Sequence, residues 1–591
     1  MQARQCERDE RTGRDQPTVW IALILAAFTV TAYWGVWTCG FVNFDDQIYV
    51  YENPRVTTGL SLANIQWALT TGECANWHPL TWLSLMLDAT LFGPGPMGFH
   101  ASNLGWHVVN VLLLFGVLKQ FTGQVWRSAC VAALFAVHPV HVESVAWISE
   151  RKDVLSMFFG LLALGTYGAF VRTDRVRWYV GSIVSLGCSL MAKPMLVTLP
   201  CLLLLLDVWP LGRLKGVAQQ SSEGSTEQPT AQFSASRLIL EKLPFVVLTI
   251  ISCVVTLQVQ RAGGALSLHL TLSDRLANAV LAYGWYLKML FVPKDLSVFY
   301  PHPTSQLSWS AVAASAAVLT VITALTVALW KRAPFVRTGW FWFLGMLVPV
   351  IGLIQIGAQQ RADRYLYLPG VGIYLLVVWC GALAVDRIAP LRRVMTFLMV
   401  VTLAWLAIRT QLQTRVWRNS VTLWANALRV SGGDARSRTQ LAQSYQRAGE
   451  REQARMHYQE AFKLIPLEPH LNLNYGLFLV QEDQFATAIP HFQLVLKRDP
   501  HDSRAMGFLG FALWRSGDLD QAEAWLRNAM AQDPAWSRPY YWFGQMRLEQ
   551  KRNAEAVEFL RKAVQADPMW GLARKELARV EQLRRDNTDQ P

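Results

Sequence analysis

Four prolines, Pro466, Pro500, Pro534 and Pro568, stand 34 residues apart. Few sequence features constrain a fold as tightly as a fixed internal period. Other positions repeat in phase with them. Small residues recur at Ala442, Gly476, Gly510 and Gly544, where two helices must approach closely. Ala454, Ala488, Ala522 and Ala556 recur further along each unit, followed by Tyr458, Phe492, Leu526 and Leu560. Ala461, Ala529 and Ala563 close the pattern, with Val495 in the remaining slot. Each unit reads as a pair of helices that cannot bury its apolar face alone, so the units stack into a solenoid. Four full repeats span 435–570. Residues 412–434 read as a connector with a partial leading repeat, in which Trp424 and Ala427 take second-helix positions. Residues 571–591 read as a polar-faced capping helix and tail.

A two-helix unit of 34 residues is the tetratricopeptide period. The expected use of such an array is a concave groove that holds an extended peptide or a partner protein. The plainer alternatives are a spacer or a homodimerisation surface.

The rest of the chain is different in kind. Of 591 residues, 52% are hydrophobic and only 16% charged, with 25 Trp and 27 Phe. Up to about residue 411 the sequence is a series of long apolar runs. This predicts an all-α protein: a polytopic membrane bundle over 18–411, then the solenoid. Residues 1–17 are polar and read as a cytoplasmic tail. The run behind them lacks a small-residue cleavage pattern and reads as a retained first span.

Eleven crossings are expected at 18–38, 102–120, 128–146, 154–171, 178–191, 195–210, 243–260, 309–330, 339–356, 365–384 and 393–411. The two runs at 178–191 and 195–210 are short enough for a bent pair. Lys and Arg in the connecting loops set the topology, so the net charge of +13 gives no reason to expect nucleic acid. The segment 276–292 decides the register. If it lies in the interface or re-enters, the clusters Lys331/Arg332/Arg337 and Asp386/Arg387/Arg392/Arg393 fall inside and the repeats fall outside the cytoplasm. The Ser/Gln/Glu-rich stretch 216–236 reads as a flexible cytoplasmic loop. Eight cysteines occur with no CxxC pair and no His/Cys cluster, so no structural zinc site is expected, while a bound divalent metal stays open. Cys39 and Cys74 bracket one external loop, where two unrelated thiols are the simpler reading and a disulfide in an oxidising compartment is the alternative.

That loop, CGFVNFDDQIYVYENPR from residue 39, carries the adjacent carboxylates Asp45 and Asp46 among Phe41, Phe44, Tyr49 and Tyr51. Taken alone, the pair reads as a solvated loop or a helix cap. The other segments placed outside change that reading. They bring His78, His138, His141, Glu143, Arg151, Lys193, Tyr300, Arg361, Asp363, Arg364 and Tyr365 to the same face. Singly, each is an interfacial or structural residue, and the two histidines read as hydrogen-bonding groups. Together they form a candidate site, because cations suit a phosphate, rings suit a sugar or an isoprenoid, and a carboxylate suits a base.

FVNFDDQIYV, HPVHVESVAWISERKD, AKPMLVTLP, WYLKMLFVPKDLSVFYP and ADRYLYLPGVG, followed by the repeats, resemble the transmembrane-and-tetratricopeptide O-mannosyltransferase family and its bacterial relatives. The resemblance covers nearly the whole chain. It implies a membrane glycosyltransferase of the C superfamily, which takes a sugar from a polyprenyl-phosphate carrier with acidic residues in the first external loop. Asp45 and Asp46 match that acidic pair as Asp-Asp, where related enzymes often have Asp-Glu, so either could be the base. Related enzymes hold the lipid phosphate with basic residues, and the resemblance, more loosely here, makes Arg151, Lys193, Arg361 and Arg364 the candidates. The expected substrates are a polyprenyl-phosphate sugar, with mannose inferred from the family, and Ser/Thr of a protein acceptor. The setting expected is a bacterial inner membrane with periplasmic repeats, or alternatively the endoplasmic reticulum. Some members of the superfamily bind a divalent metal and others do not. A different class of reading is a non-catalytic membrane scaffold whose repeats recruit envelope proteins. A transporter fits less well, because the charges gather on one face.

Overall fold

The computed structural model describes residues 2–215, 231–264, 270–302, 307–354, 357, 359–388 and 390–588, with side chains from 17 to 582. The expected flexible loop lies outside these residues over 216–230. The chain divides into two units, residues 1–432 and 433–591.

Among the described residues, the first unit is helices and their connections, apart from one short strand pair and an isolated bridge. Among the described residues, six helices are long and apolar enough to cross a membrane: Pro96–Thr122, Ile148–Thr173, Leu243–Ala262, Trp309–Ala328, Gly370–Arg387 and Leu391–Val416. Val125–Val137 and Pro139–Ala146 form a further span if counted together, bent by 54°. Pro139 explains the break, since it cannot donate to the preceding turn. Three of the eleven expected spans are shorter apolar helices, Pro17–Ala32, Val176–Ala192 and Leu196–Val208. Of the expected span 339–356, residues 339–347 are helical, as the end of the helix Pro334–Leu347. The N-terminal helix starts at Gln2, so no break separates the expected tail from the first span.

Segment 276–292 forms the helix Leu272–Phe291, long enough to cross but amphipathic. Its buried residues Asn278, Ala282, Tyr286, Met289 and Leu290 recur at helical spacing. The sequence reading missed the helix Pro79–Phe92, which starts on a proline at its first turn and buries Trp82, Leu85 and Met86. The strand pair sets Tyr300 opposite Arg361 and joins the loop before 302 to the segment 359–366.

The second unit follows the 34-residue period. Its paired helices run from Ala435–Arg447 to Asn553–Ala566, and the last helix is Gly571–Thr588. Ala454, Ala488, Ala522 and Ala556 are fully buried, as are Tyr458, Phe492, Leu526 and Leu560. A Cβ on Gly476 would lie 2.8 Å from the Phe492 ring, and one on Gly510 2.8 Å from Leu526. The small residues are therefore required by the approach of the paired helix. The helix Ser420–Ser431, expected as a partial repeat, belongs to the first unit instead. Its Trp424 indole donates to Asn43 Oδ1 at 2.8 Å, and Ser420 Oγ accepts from the Asn43 amide.

Candidate functional site

Asp45 and Asp46 are adjacent in sequence but differ in environment. Asp46 is 1% exposed, and both of its oxygens are engaged. Oδ2 accepts from the Val42 amide at 3.0 Å; Oδ1 accepts from the Ser149 amide at 3.1 Å and from Ser149 Oγ at 2.5 Å. Burial, only partly offset by these donors, pushes its pKa up to about 7. Asp46 thus fastens the loop to the segment 147–150. Phe44 assists: its carbonyl accepts from the Trp147 indole at 2.8 Å, and its ring stacks on Trp147 at 4.8 Å. Asp45 is half-buried and holds φ = +65°, a conformation costly for a residue with a Cβ and kept here by the anchors on both sides. Its charge acts on Lys152, Tyr49 and Cys74.

Next to the loop lies a buried ionic network. Arg364 reaches Glu143 at 2.5 Å and Glu150 at 3.2 Å. Lys193 reaches Glu150 at 2.9 Å and Asp153 at 2.6 Å. Lys152 pairs with Glu150 at 3.2 Å and sits 4.8 Å from the centre of the Tyr49 ring. Three carboxylates face three cations, so the charges balance, as buried charges must. Asp363 accepts from the Tyr300 hydroxyl at 2.8 Å and from the Ser297 amide at 3.1 Å. Burial first, then the charge of Glu143, holds its carboxyl well above the usual range. Arg361 differs from the other cations. It lies over the rings of Trp285 and Tyr300, donates to Gln360, and makes no ion pair among the described residues. Tyr365 packs against Arg364 and accepts from Gln359.

Several expected site residues lie elsewhere. Arg151 does not join the network. It is fully buried against Asp88 at 2.5 Å, Ser84, Asn103 and the Phe99 carbonyl. Helical geometry explains this, since Glu150 and Asp153 share a face and Arg151 is turned about 100° from it. Lys152 and Asp153 belong to the same polar segment in the sequence but are not among the candidate site residues expected from it. His138 and His141 are buried among Phe135, Tyr367 and Tyr374, bonded to the Leu290 carbonyl and the Tyr374 hydroxyl. His78, by contrast, borders the network: its ring stacks on Tyr49 and is tilted against Trp82, and burial lowers its pKa to about 3. Among the described residues no three His, Cys, Asp or Glu side chains are grouped to hold a metal. Asp46, with its oxygens already engaged, does not fit the role of a ligand.

Three matches to tetratricopeptide-repeat models cover 438–502, 479–542 and 537–568, the first described as YpiA-like C-terminal repeats. The membrane part is matched by curated relatives. Mouse protein O-mannosyl-transferase TMTC3 is 21% identical over 92% of the chain and 63% of the mouse protein. Over most of its length the chain is similar to this protein. Human protein O-mannosyl-transferase TMTC1 is 24% identical over 77% of the chain and 56% of its own length. Drosophila Tmtc1 is 31% identical over 32% of the chain and 23% of its own length. The chain therefore spans less than two-thirds of the length of these relatives.

Proposed function

We propose that the chain is a membrane glycosyltransferase. It moves a sugar, mannose by analogy with the names of its relatives, from a polyprenyl-phosphate carrier to a Ser/Thr hydroxyl of a protein acceptor. The setting proposed is a bacterial inner membrane, with the loop and the repeats outside the cytoplasm and the repeats binding the acceptor.

The observation that carries this reading is the division of labour within the acidic pair. Asp46 is buried and tied to Val42 and Ser149, whereas Asp45 is only half-buried and its charge acts on Lys152, so we assign the base to Asp45. Asp45 accepts the proton of the acceptor hydroxyl. The oxygen attacks the anomeric carbon, forming the new C–O bond with inversion. The bond from that carbon to the phosphate oxygen breaks, and the electron pair leaves with the polyprenyl phosphate. Arg361 is the cation with charge to spare for that phosphate, and Lys152 faces Asp45. Glu143, Glu150, Asp153, Lys193 and Arg364 form the rigid frame that keeps these groups in place.

The test is transfer by the purified full chain from a panel of polyprenyl-phosphate sugars to a Ser/Thr-rich acceptor. Transfer from one of them supports the reading. Carrier binding without transfer from any would favour the scaffold.

A further inference from the structure

A second candidate binding site lies away from the acidic loop, where a buried cation lacks a partner. Arg337, in the first turn of the helix Pro334–Leu347, is 3% exposed. Its Nε and Nη2 are buried without a hydrogen-bond acceptor among the described residues. Its guanidinium lies 4.5 Å from the centre of the Trp330 ring, back toward the start of its own helix, as helical side chains point. The polar groups beside it are occupied: Thr338 donates to the Trp209 carbonyl, and the Trp340 indole donates to Thr323. Burial is the one influence resolved on its proton affinity, and among the described residues no carboxylate pairs with it. A guanidinium does not shed its proton to escape burial, so the missing component is an anion.

Three further features point the same way. Ala333 provides no side-chain cap, so this helix start keeps its positive end. Lys331 and Arg332 are exposed beside it. An apolar groove on the helix Trp309–Ala328, lined by Leu319, Thr323, Ala324, Val327 and Ala328, ends two residues before Trp330 in the chain. We propose that Arg337, with Lys331 and Arg332, binds a phosphate group at the start of the helix Pro334–Leu347. A phospholipid headgroup with its acyl chain along the groove, or free phosphate, would supply that chemistry. The site uses none of the residues assigned to sugar transfer.

The test is thermal unfolding of the purified full chain in detergent, titrated with phosphatidylglycerol, phosphatidylcholine or inorganic phosphate. Phosphatidylglycerol should raise the midpoint at concentrations where phosphatidylcholine does not. Arg337→Met should raise the half-saturating concentration about tenfold or more. If that variant does not fold, the exposed double variant Lys331→Gln/Arg332→Gln should still shift the titration several-fold. Stabilisation by inorganic phosphate alone would identify a free-anion site; stabilisation by the lipid alone would identify a headgroup site. Equal titrations for phosphatidylglycerol and phosphatidylcholine with no phosphate response, or titrations unchanged in the variants, would overturn the proposal.

Discussion

Asp46 and Arg361 make the account specific at the scale of single residues. The pKa of Asp46 is raised to about 7, against about 3.9 for an unperturbed Asp. Between these values the folded chain holds a proton that the unfolded chain has released. The contribution of Asp46 to stability therefore falls as pH rises from about 4 to about 7. Asp46→Asn cannot titrate, so its melting midpoint should change less between pH 5 and pH 8 than that of the parent. An unchanged difference would show that Asp46 is not the group titrating. The cations divide similarly. Arg361→Gln breaks no ion pair, so it should leave the fold intact and weaken carrier binding by about 1.5–3 kcal/mol. Arg364→Met strands Glu143 and should cost about 3–5 kcal/mol of stability. Thermal melts and carrier titrations on the same two proteins separate these outcomes. The carboxylate pair was legible in the sequence; its division of labour was not. That division depends on a contact between Asp46 and Ser149, 103 residues apart, and on the positive φ of Asp45.

At the scale of elements, the repeats were readable because each helix packs on its sequence neighbour, so the pattern is local. Trp424 shows the limit. It fits the repeat phase, yet Asn43 and Phe44 of the acidic loop claim it. The ionic network was only partly readable, since its members come from 143–153, 193 and 364. Within 150–153 the helical wheel would have separated Arg151 from Glu150 and Asp153. The solenoid makes its own prediction. A Cβ on Gly510 meets Leu526 Cγ at 2.8 Å and the Leu526 backbone at 3.0 Å, whereas one on Gly571 meets nothing within 4 Å. Gly510→Ala should destabilise residues 433–591 by about 1–3 kcal/mol, despite the better helix propensity of Ala. Gly571→Ala should be neutral or stabilising. Denaturant melts of the solenoid check both; equal effects would mean the paired helices are not this close.

At the scale of the molecule, the boundary after Gly432 separates two proposed tasks, transfer in the first unit and acceptor binding in the second. A chain ending at Gly432 retains the helix Ser420–Ser431, which braces the acidic loop. It should still bind carrier while glycosylating protein acceptors poorly. Full activity on protein acceptors would reduce the repeats to a spacer. The central claim is that Asp45 is the base of a polyprenyl-phosphate-dependent transfer. Its most direct test is turnover of a labelled polyprenyl-phosphate sugar by the full chain and by Asp45→Asn, with carrier affinity measured on both. The account predicts transfer by the parent, a loss of roughly a hundredfold or more in turnover for Asp45→Asn, and little change in carrier affinity. Undiminished transfer by Asp45→Asn, or a parent chain that transfers no sugar from any carrier offered, would contradict it.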